Sequence, residues 1–162
     1  MIIKTIVDED FVNYRVPSMF IGTALCSGKC CTEAGVPLSV CQNDEWRKTP
    51  VKKVMDEYII DRYSSNDITK AIVFGGLEPF DQFRELNTFI KKLRIDFGID
   101  DDVVIYTGYN KEEVEEYIDE LKKYKNIVVK FGRFIPGKVE YHFDSVLGVK
   151  LATPNQFAER IS

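Results

Sequence analysis

The chain predicts an α/β fold around a parallel sheet, on three observations. Short, almost wholly apolar runs such as Lys70-Ala71-Ile72-Val73-Phe74 and Asp102-Val103-Val104-Ile105-Tyr106 read as strands buried on both faces. Between them lie stretches whose apolar residues recur at the spacing of one helix face. The two periods alternate along most of the chain, the order that right-handed crossovers between parallel strands produce.

Taken in order, Met19-Phe20-Ile21-Gly22-Thr23-Ala24 is a first strand that opens into a loop carrying every cysteine of the chain. From Val51, the positions Val54, Met55, Tyr58 and Ile59 mark a first helix, ending before Ser64-Ser65-Asn66. Lys70 to Phe74 is the second strand, closed by Gly75-Gly76. Phe83, Leu86, Phe89, Ile90, Leu93 and Phe97 outline a second helix, stopped at Gly98 in the C-cap position. Asp102 to Tyr106 is the third strand and runs into Thr107-Gly108. Asn110 can N-cap a third helix, with Glu112, Glu113 and Glu115 near its positive end and Lys122, Lys123 and Lys125 at its negative end. Asn126 to Phe131 is a fourth strand and Val146 to Leu151 a fifth, with Pro136-Gly137 to Tyr141 a hairpin or irregular excursion between them. Ligands of such sheets bind beyond the carboxyl ends of the strands. The cysteine loop, Gly75-Gly76 and Thr107-Gly108 should therefore converge on one site.

At 162 residues, 44% hydrophobic and 30% charged, the chain fits a single domain, 1–162, able to bury a proper core. A net charge of −4 argues against non-specific nucleic-acid or membrane binding, both of which need a basic surface. Met1 to Asp8 is too short in apolar length for a signal peptide and is broken by Lys4 and Asp8, so a cytoplasmic location is expected.

Cys26, Cys30, Cys31 and Cys41 crowd into one loop, and the vicinal pair Cys30-Cys31 makes a poor structural disulfide. Metal ligation is the better account. Iron-sulfur clusters are held by cysteine thiolates; a site that uses only three leaves one iron open to a small molecule, as an open position does in catalytic zinc sites. The natural trio is Cys26, Cys30 and Cys41, because adjacent thiolates point in different directions and Cys31 then neighbours a ligand. A four-cysteine structural zinc site is the alternative, against which Cys41 lacks a close partner. Gly75 and Gly76 are either ordinary strand-end turn residues or positions where a ligand approaches the backbone closely. Just beyond, Glu78 can accept from an ammonium group and Pro79 stiffens the turn. The lone His142 reads as a packing or surface residue, and Trp46 as core.

Read together, these residues resemble the radical S-adenosylmethionine superfamily, and within it the small activating proteins of anaerobic ribonucleoside-triphosphate reductase. The likeness spans most of the chain: Asp10-Phe11-Val12-Asn13, Cys26-x3-Cys30, Cys41-Gln42-Asn43 with Trp46 soon after, Gly75-Gly76-Leu77-Glu78-Pro79, Thr107-Gly108-Tyr109, Gly132-Arg133-Phe134 and Asn155-Gln156 follow in the family's order. Two departures stand out. The family spaces its cysteines C-x3-C-x2-C, whereas a much longer stretch separates Cys30 from Cys41, and Leu77 is an extra residue within the Gly-Gly turn.

The resemblance implies a partial, incomplete TIM-like barrel of parallel strands with outer helices. It implies a 4Fe-4S cluster on Cys26, Cys30 and Cys41, and S-adenosylmethionine beside Gly75, Gly76, Glu78, Pro79 and Thr107, with Arg133 and Lys150 near its carboxylate. The implied activity is reductive cleavage of S-adenosylmethionine to a 5′-deoxyadenosyl radical, which generates a glycyl radical on the reductase. A flavodoxin or ferredoxin-like protein would supply the electron, and no side-chain acid–base pair is expected, since the cofactors carry the chemistry. Two other functions fit the same residues: a radical enzyme acting on another glycyl radical enzyme or a peptide, and a non-catalytic module stapled by a metal.

Overall fold

The computed structural model describes the whole chain, Met1 to Ser162. Its elements are β1 (Ile2–Asp10), β2 (Ser18–Thr23), α1 (Lys29–Glu33), α2 (Asp44–Lys48), β3 (Lys52–Lys53), α3 (Asp56–Ser64), β4 (Ala71–Gly76), α4 (Phe83–Ile95), β5 (Asp102–Tyr106), α5 (Glu115–Leu121), β6 (Ile127–Phe131), β7 (His142–Asp144), β8 (Val149–Leu151) and β9 (Phe157–Arg160). Seven strands form one open sheet in the order β3-β1-β2-β4-β5-β6-β9. Its centre, β2-β4-β5-β6, is parallel throughout. Antiparallel strands flank that centre, β1 and β3 on one side and β9 on the other. No helix is long and apolar enough to cross a membrane.

The parallel centre follows from its residues. Successive side chains of a strand point to opposite faces, and in β2, β4, β5 and β6 both faces are covered. Ile21, Phe74, Ile105 and Val129 stand on one face, fully buried in one core with Ile59, Phe89 and Ile118 from α3, α4 and α5. Phe20, Val73, Val104 and Val128 stand on the other, packed against Tyr14, Leu147 and Leu151 from the connecting segments. Each fully buried Ile or Phe contributes roughly 1.5–3 kcal/mol relative to exposure.

The sequence reading needs four corrections. Val146 to Leu151 does not extend the parallel sheet: only Val149–Leu151 is extended, and it pairs antiparallel with β7 in a separate two-stranded sheet. The cause is Asp144, whose Oδ1 accepts from the Val146 and Leu147 amides at 3.0 and 2.9 Å and turns the chain back ahead of Gly148. The N-terminal segment, to which the sequence reading assigned no strand, is the long strand β1. Val51 and Val54 precede the first helix rather than belong to it, because Lys52 and Lys53 pair with Ile3 and Ile2. The third helix begins later than expected. Asn110 and Glu113 do form a capping box, but they enclose a single 3-10 turn, and α5 starts at Glu115.

Candidate functional site

Register places the site. Phe20 pairs with Val73, Val73 with Val104, and Val104 with Val128, an apolar layer across the sheet. Two residues further along each strand on the same face stand Gly22, Gly75, Tyr106 and Lys130, with Gly22 opposite Gly75 and Tyr106 opposite Lys130. The wall thus changes from apolar to small and polar at the carboxyl ends of the strands, where a cavity of about 580 Å³ opens. That size lies within the roughly 300–1,000 Å³ typical of small-molecule sites. Every site residue predicted from sequence lines it except Pro79, and Cys31 lines it too.

All four cysteines are free thiols. Cys31 is buried, while Cys26, Cys30 and Cys41 are half-buried. Gly28 enters α1 in the left-handed region, φ 73°, and its amide donates to Cys26 Sγ at 3.4 Å. The Asn43 amide makes the matching bond to Cys41 Sγ, also at 3.4 Å. Burial pushes the Cys26 thiol up, opposed by the Gly28 amide and by Arg47. Burial also pushes Cys30 up, with the neighbouring Cys31 adding to the rise.

A charge quartet clasps α1 to the strand ends. Arg133, just past β6, donates from Nη1 and Nη2 to Glu113 at 2.5 and 2.7 Å, and from Nε to Glu33 at 2.8 Å. Lys29 closes the ring onto Glu113. The Arg133 and Lys29 contacts hold the Glu113 carboxyl far below the usual carboxylate range. Arg133, expected to face a cofactor carboxylate, already has two carboxylate partners of its own.

The Gly-Gly turn is filled in part by the protein. Gly76 has φ 84°, and a Cβ there would lie 2.6 Å from the Trp46 ring. Trp46 also covers Gly22 and meets Phe20 edge-on at 5.7 Å. It is core as expected, but core of the cavity wall. Thr23 donates to the Gly75 carbonyl at 3.0 Å and the Asn43 side chain donates to that of Gly76. Glu78 is buried and ties two strand ends together: Oε1 accepts from Thr107 Oγ1 at 2.8 Å and from the Phe80 amide at 3.1 Å, and Oε2 accepts from the Gly108 amide at 2.8 Å. Burial raises its carboxyl to about 7 despite those bonds. Pro79 opens the 3-10 turn that Glu78 caps and lies behind the cavity wall. Lys150 is exposed at the rim.

Two residues that the sequence reading passed over belong to the site. Lys130 is buried on the cavity floor, donates to the Gly132 carbonyl at 2.8 Å, and is lowered by burial to about 8. Its signal was one lysine inside the apolar run Ile127-Val128-Val129-Lys130-Phe131, on the same face as the cavity. Arg47, from α2, donates from Nη1 to the Cys26 carbonyl at 3.1 Å and from Nη2 to Cys26 Sγ at 3.6 Å. Its Nε is buried without a partner.

No three of the Cys, His, Asp and Glu side chains stand close enough to share one metal ion. The thiols instead form one wall of a cavity, with amide donors already on two sulfurs and a guanidinium nitrogen still unpartnered among them. An anionic cluster carrying acceptor sulfides suits that donor set, since hydrogen bonds to sulfur are a standard part of iron-sulfur sites. The model of a family described as 4Fe-4S single cluster domain matches residues 25–143. The chain belongs to this family. The match starts beside Cys26 and takes in all four cysteines, both strand-end glycines, Lys130 and Arg133. Neither the curated proteins nor the solved structures contain a significant match. The family match supports a 4Fe-4S cluster in this chain.

Proposed function

We propose that the protein is a radical S-adenosylmethionine activase for anaerobic ribonucleoside-triphosphate reductase, with Cys26, Cys30 and Cys41 as the cluster ligands. One observation carries the reading: the cysteine wall and the Gly75-Gly76 strand end share a single cavity of about 580 Å³, large enough for a nucleoside-sized molecule beside the cluster. A cluster held by Cys26, Cys30 and Cys41 would pass one electron from the donor to S-adenosylmethionine, whose cleavage to methionine and a 5′-deoxyadenosyl radical would let the latter take a hydrogen atom from a glycine of the partner, giving 5′-deoxyadenosine and a glycyl radical.

The residues of the chain bind, orient and shield. Lys130 and Lys150 line the cavity without a carboxylate partner and take the cofactor carboxylate. Arg133 contributes through α1 instead, since Glu113 and Glu33 hold it. A carboxylate beside Lys130 favours its ammonium form, so cofactor binding near pH 8 to 9 takes up protons. Glu78 faces the cavity as acceptor for the cofactor's ammonium and at the same time fixes Thr107 beside the adenosine. Phe20, Trp46 and Leu77 keep the inner wall dry, and the protein substrate covers the open side, because exclusion of water protects reactive intermediates. The seven-stranded sheet is open rather than closed on itself, which gives that substrate access.

The test supplies the anaerobically reconstituted protein with dithionite, S-adenosylmethionine and the reductase, then measures 5′-deoxyadenosine by chromatography and the glycyl radical by EPR. Both appear on this reading. 5′-Deoxyadenosine without a radical on the reductase assigns the chain to another glycyl radical enzyme or a peptide. Neither product, with an intact and reducible cluster, rejects the activase.

A further inference from the structure

Among the cations near the cysteines, Arg47 differs from its neighbours. Lys29, Lys48 and Arg133 each pair with two carboxylates. Arg47 has no carboxylate partner and faces the thiols of Cys26 and Cys41 instead. Its position is over-determined by the fold. Trp46, one residue earlier, is wedged over Gly22 and Gly76, and buried Lys4 donates to the Arg47 carbonyl at 3.1 Å, tying α2 down to β1. The guanidinium is thereby aimed back across the loop. The guanidinium packs over Gly28, its Nη1 and Nη2 at ordinary contact distance, 3.9 and 3.8 Å, from where a Cβ would stand.

A guanidinium turned into a half-buried site against neutral thiols, with one nitrogen unpartnered, is a costly arrangement unless an anion comes to it. Cluster assembly supplies one, because it deprotonates the cysteines and brings acceptor sulfides among them. We propose that Arg47 is a positioning residue for the cluster: its guanidinium bridges the Cys26 and Cys41 arms and donates N–H···S hydrogen bonds that raise the cluster's reduction potential. One electron from the donor enters the oxidised cluster, no bond forms or breaks, and the added negative charge is favoured by the fixed cation beside it. Hydrogen bonds to the sulfurs and local net charge are two of the factors that set such potentials. Arg suits this role better than Lys because its planar fork reaches two sulfurs at once.

The proposal rests on the cluster reading above, and the experiment separates the two. Wild type, Arg47→Lys and Arg47→Met are reconstituted anaerobically, iron and sulfide are counted, and the midpoint potential is read by EPR-monitored titration without S-adenosylmethionine. Arg47→Met should disfavour the reduced cluster about tenfold, a fall of about 59 mV for one electron. Arg47→Lys, which keeps the charge and loses the fork, should fall between the two. A potential unchanged in Arg47→Met with full iron content overturns the proposal. If Arg47→Met holds no iron, the Arg47→Lys potential decides: a lower value supports the role and an unchanged value rejects it. A wild-type chain that takes up no 4Fe-4S cluster sinks both this proposal and the reading beneath it.

Discussion

One residue apart along each central strand, the sheet changes character. Ile21, Phe74, Ile105 and Val129 face the helices and are fully buried. Their neighbours Gly22, Gly75, Tyr106 and Lys130 stand on the opposite face, the last three lining the cavity and Gly22 lying under Trp46. The first set serves stability: large, apolar and interlocked with α3, α4 and α5. The second sacrifices packing for space, with two glycines and a lysine that burial lowers to about 8. The contrast shows how a strand buried on both faces can keep one for folding and release the other for chemistry.

The sharpest break between the two faces comes from the cysteines. Cys26→Ala, Cys30→Ala and Cys41→Ala should each abolish the cluster's visible absorption after reconstitution, while the apoprotein's urea midpoint barely moves. Cys31→Ala should keep the absorption and cost about 1 kcal/mol of apoprotein stability, because Cys31 is buried. Loss of the cluster in Cys31→Ala would overturn the trio.

Next in size is a paired truncation. Phe74→Ala, in the core beside Phe89, should cost about 3–5 kcal/mol in denaturant unfolding. Phe20→Ala, against the cavity, should cost about 1–3 kcal/mol, because the space it leaves joins a cavity that already exists. Equal losses would mean that the two faces are packed alike.

The contrast also explains what was legible in the sequence. β2, β4, β5 and β6 were readable because burial on both faces leaves nearly continuous apolar runs. β1 was missed because its outer half, Val7 to Asp10, mixes exposed and buried positions with three acids, and β9 because Phe157–Arg160 is a short, half-exposed edge strand. Val149–Leu151 looked like another parallel strand because a sequence shows that a segment is extended but not which strand it pairs with. The cysteine loop was legible because its four cysteines lie close together along the chain. Arg47 and Lys130 were not, since their role depends on where α2 folds back and which face of β6 is open. Arg133 was read as a free cation because Glu33 and Glu113 reach it from distant parts of the chain.

Glu78 provides a pH test. Its folded-state pKa lies above the ordinary carboxylate value, so between about pH 4.5 and 7 the folded chain binds more protons than the unfolded one. Stability of the apoprotein should therefore fall as the pH rises through that window, by on the order of 3 kcal/mol at roughly 1.4 kcal/mol per unit of pKa shift. Thermal melts at stepped pH would show the decline, and Glu78→Gln should flatten it; a decline that persists in Glu78→Gln would place its origin elsewhere.

The smallest effect is expected at Gly76. Gly76→Ala places a Cβ at φ 84° and against Trp46, costing about 1–2 kcal/mol for the left-handed backbone. Trp46 fluorescence should shift as the ring gives way. An unshifted spectrum with full stability would mean that the turn is not held as described.

The most direct measurement is the EPR spectrum of the dithionite-reduced, reconstituted protein before and after addition of S-adenosylmethionine. A cluster held by three cysteines beside the Gly75-Gly76 turn predicts a 4Fe-4S signal whose g values change when the cofactor binds its open iron. A 4Fe-4S signal identical with and without S-adenosylmethionine would contradict the account.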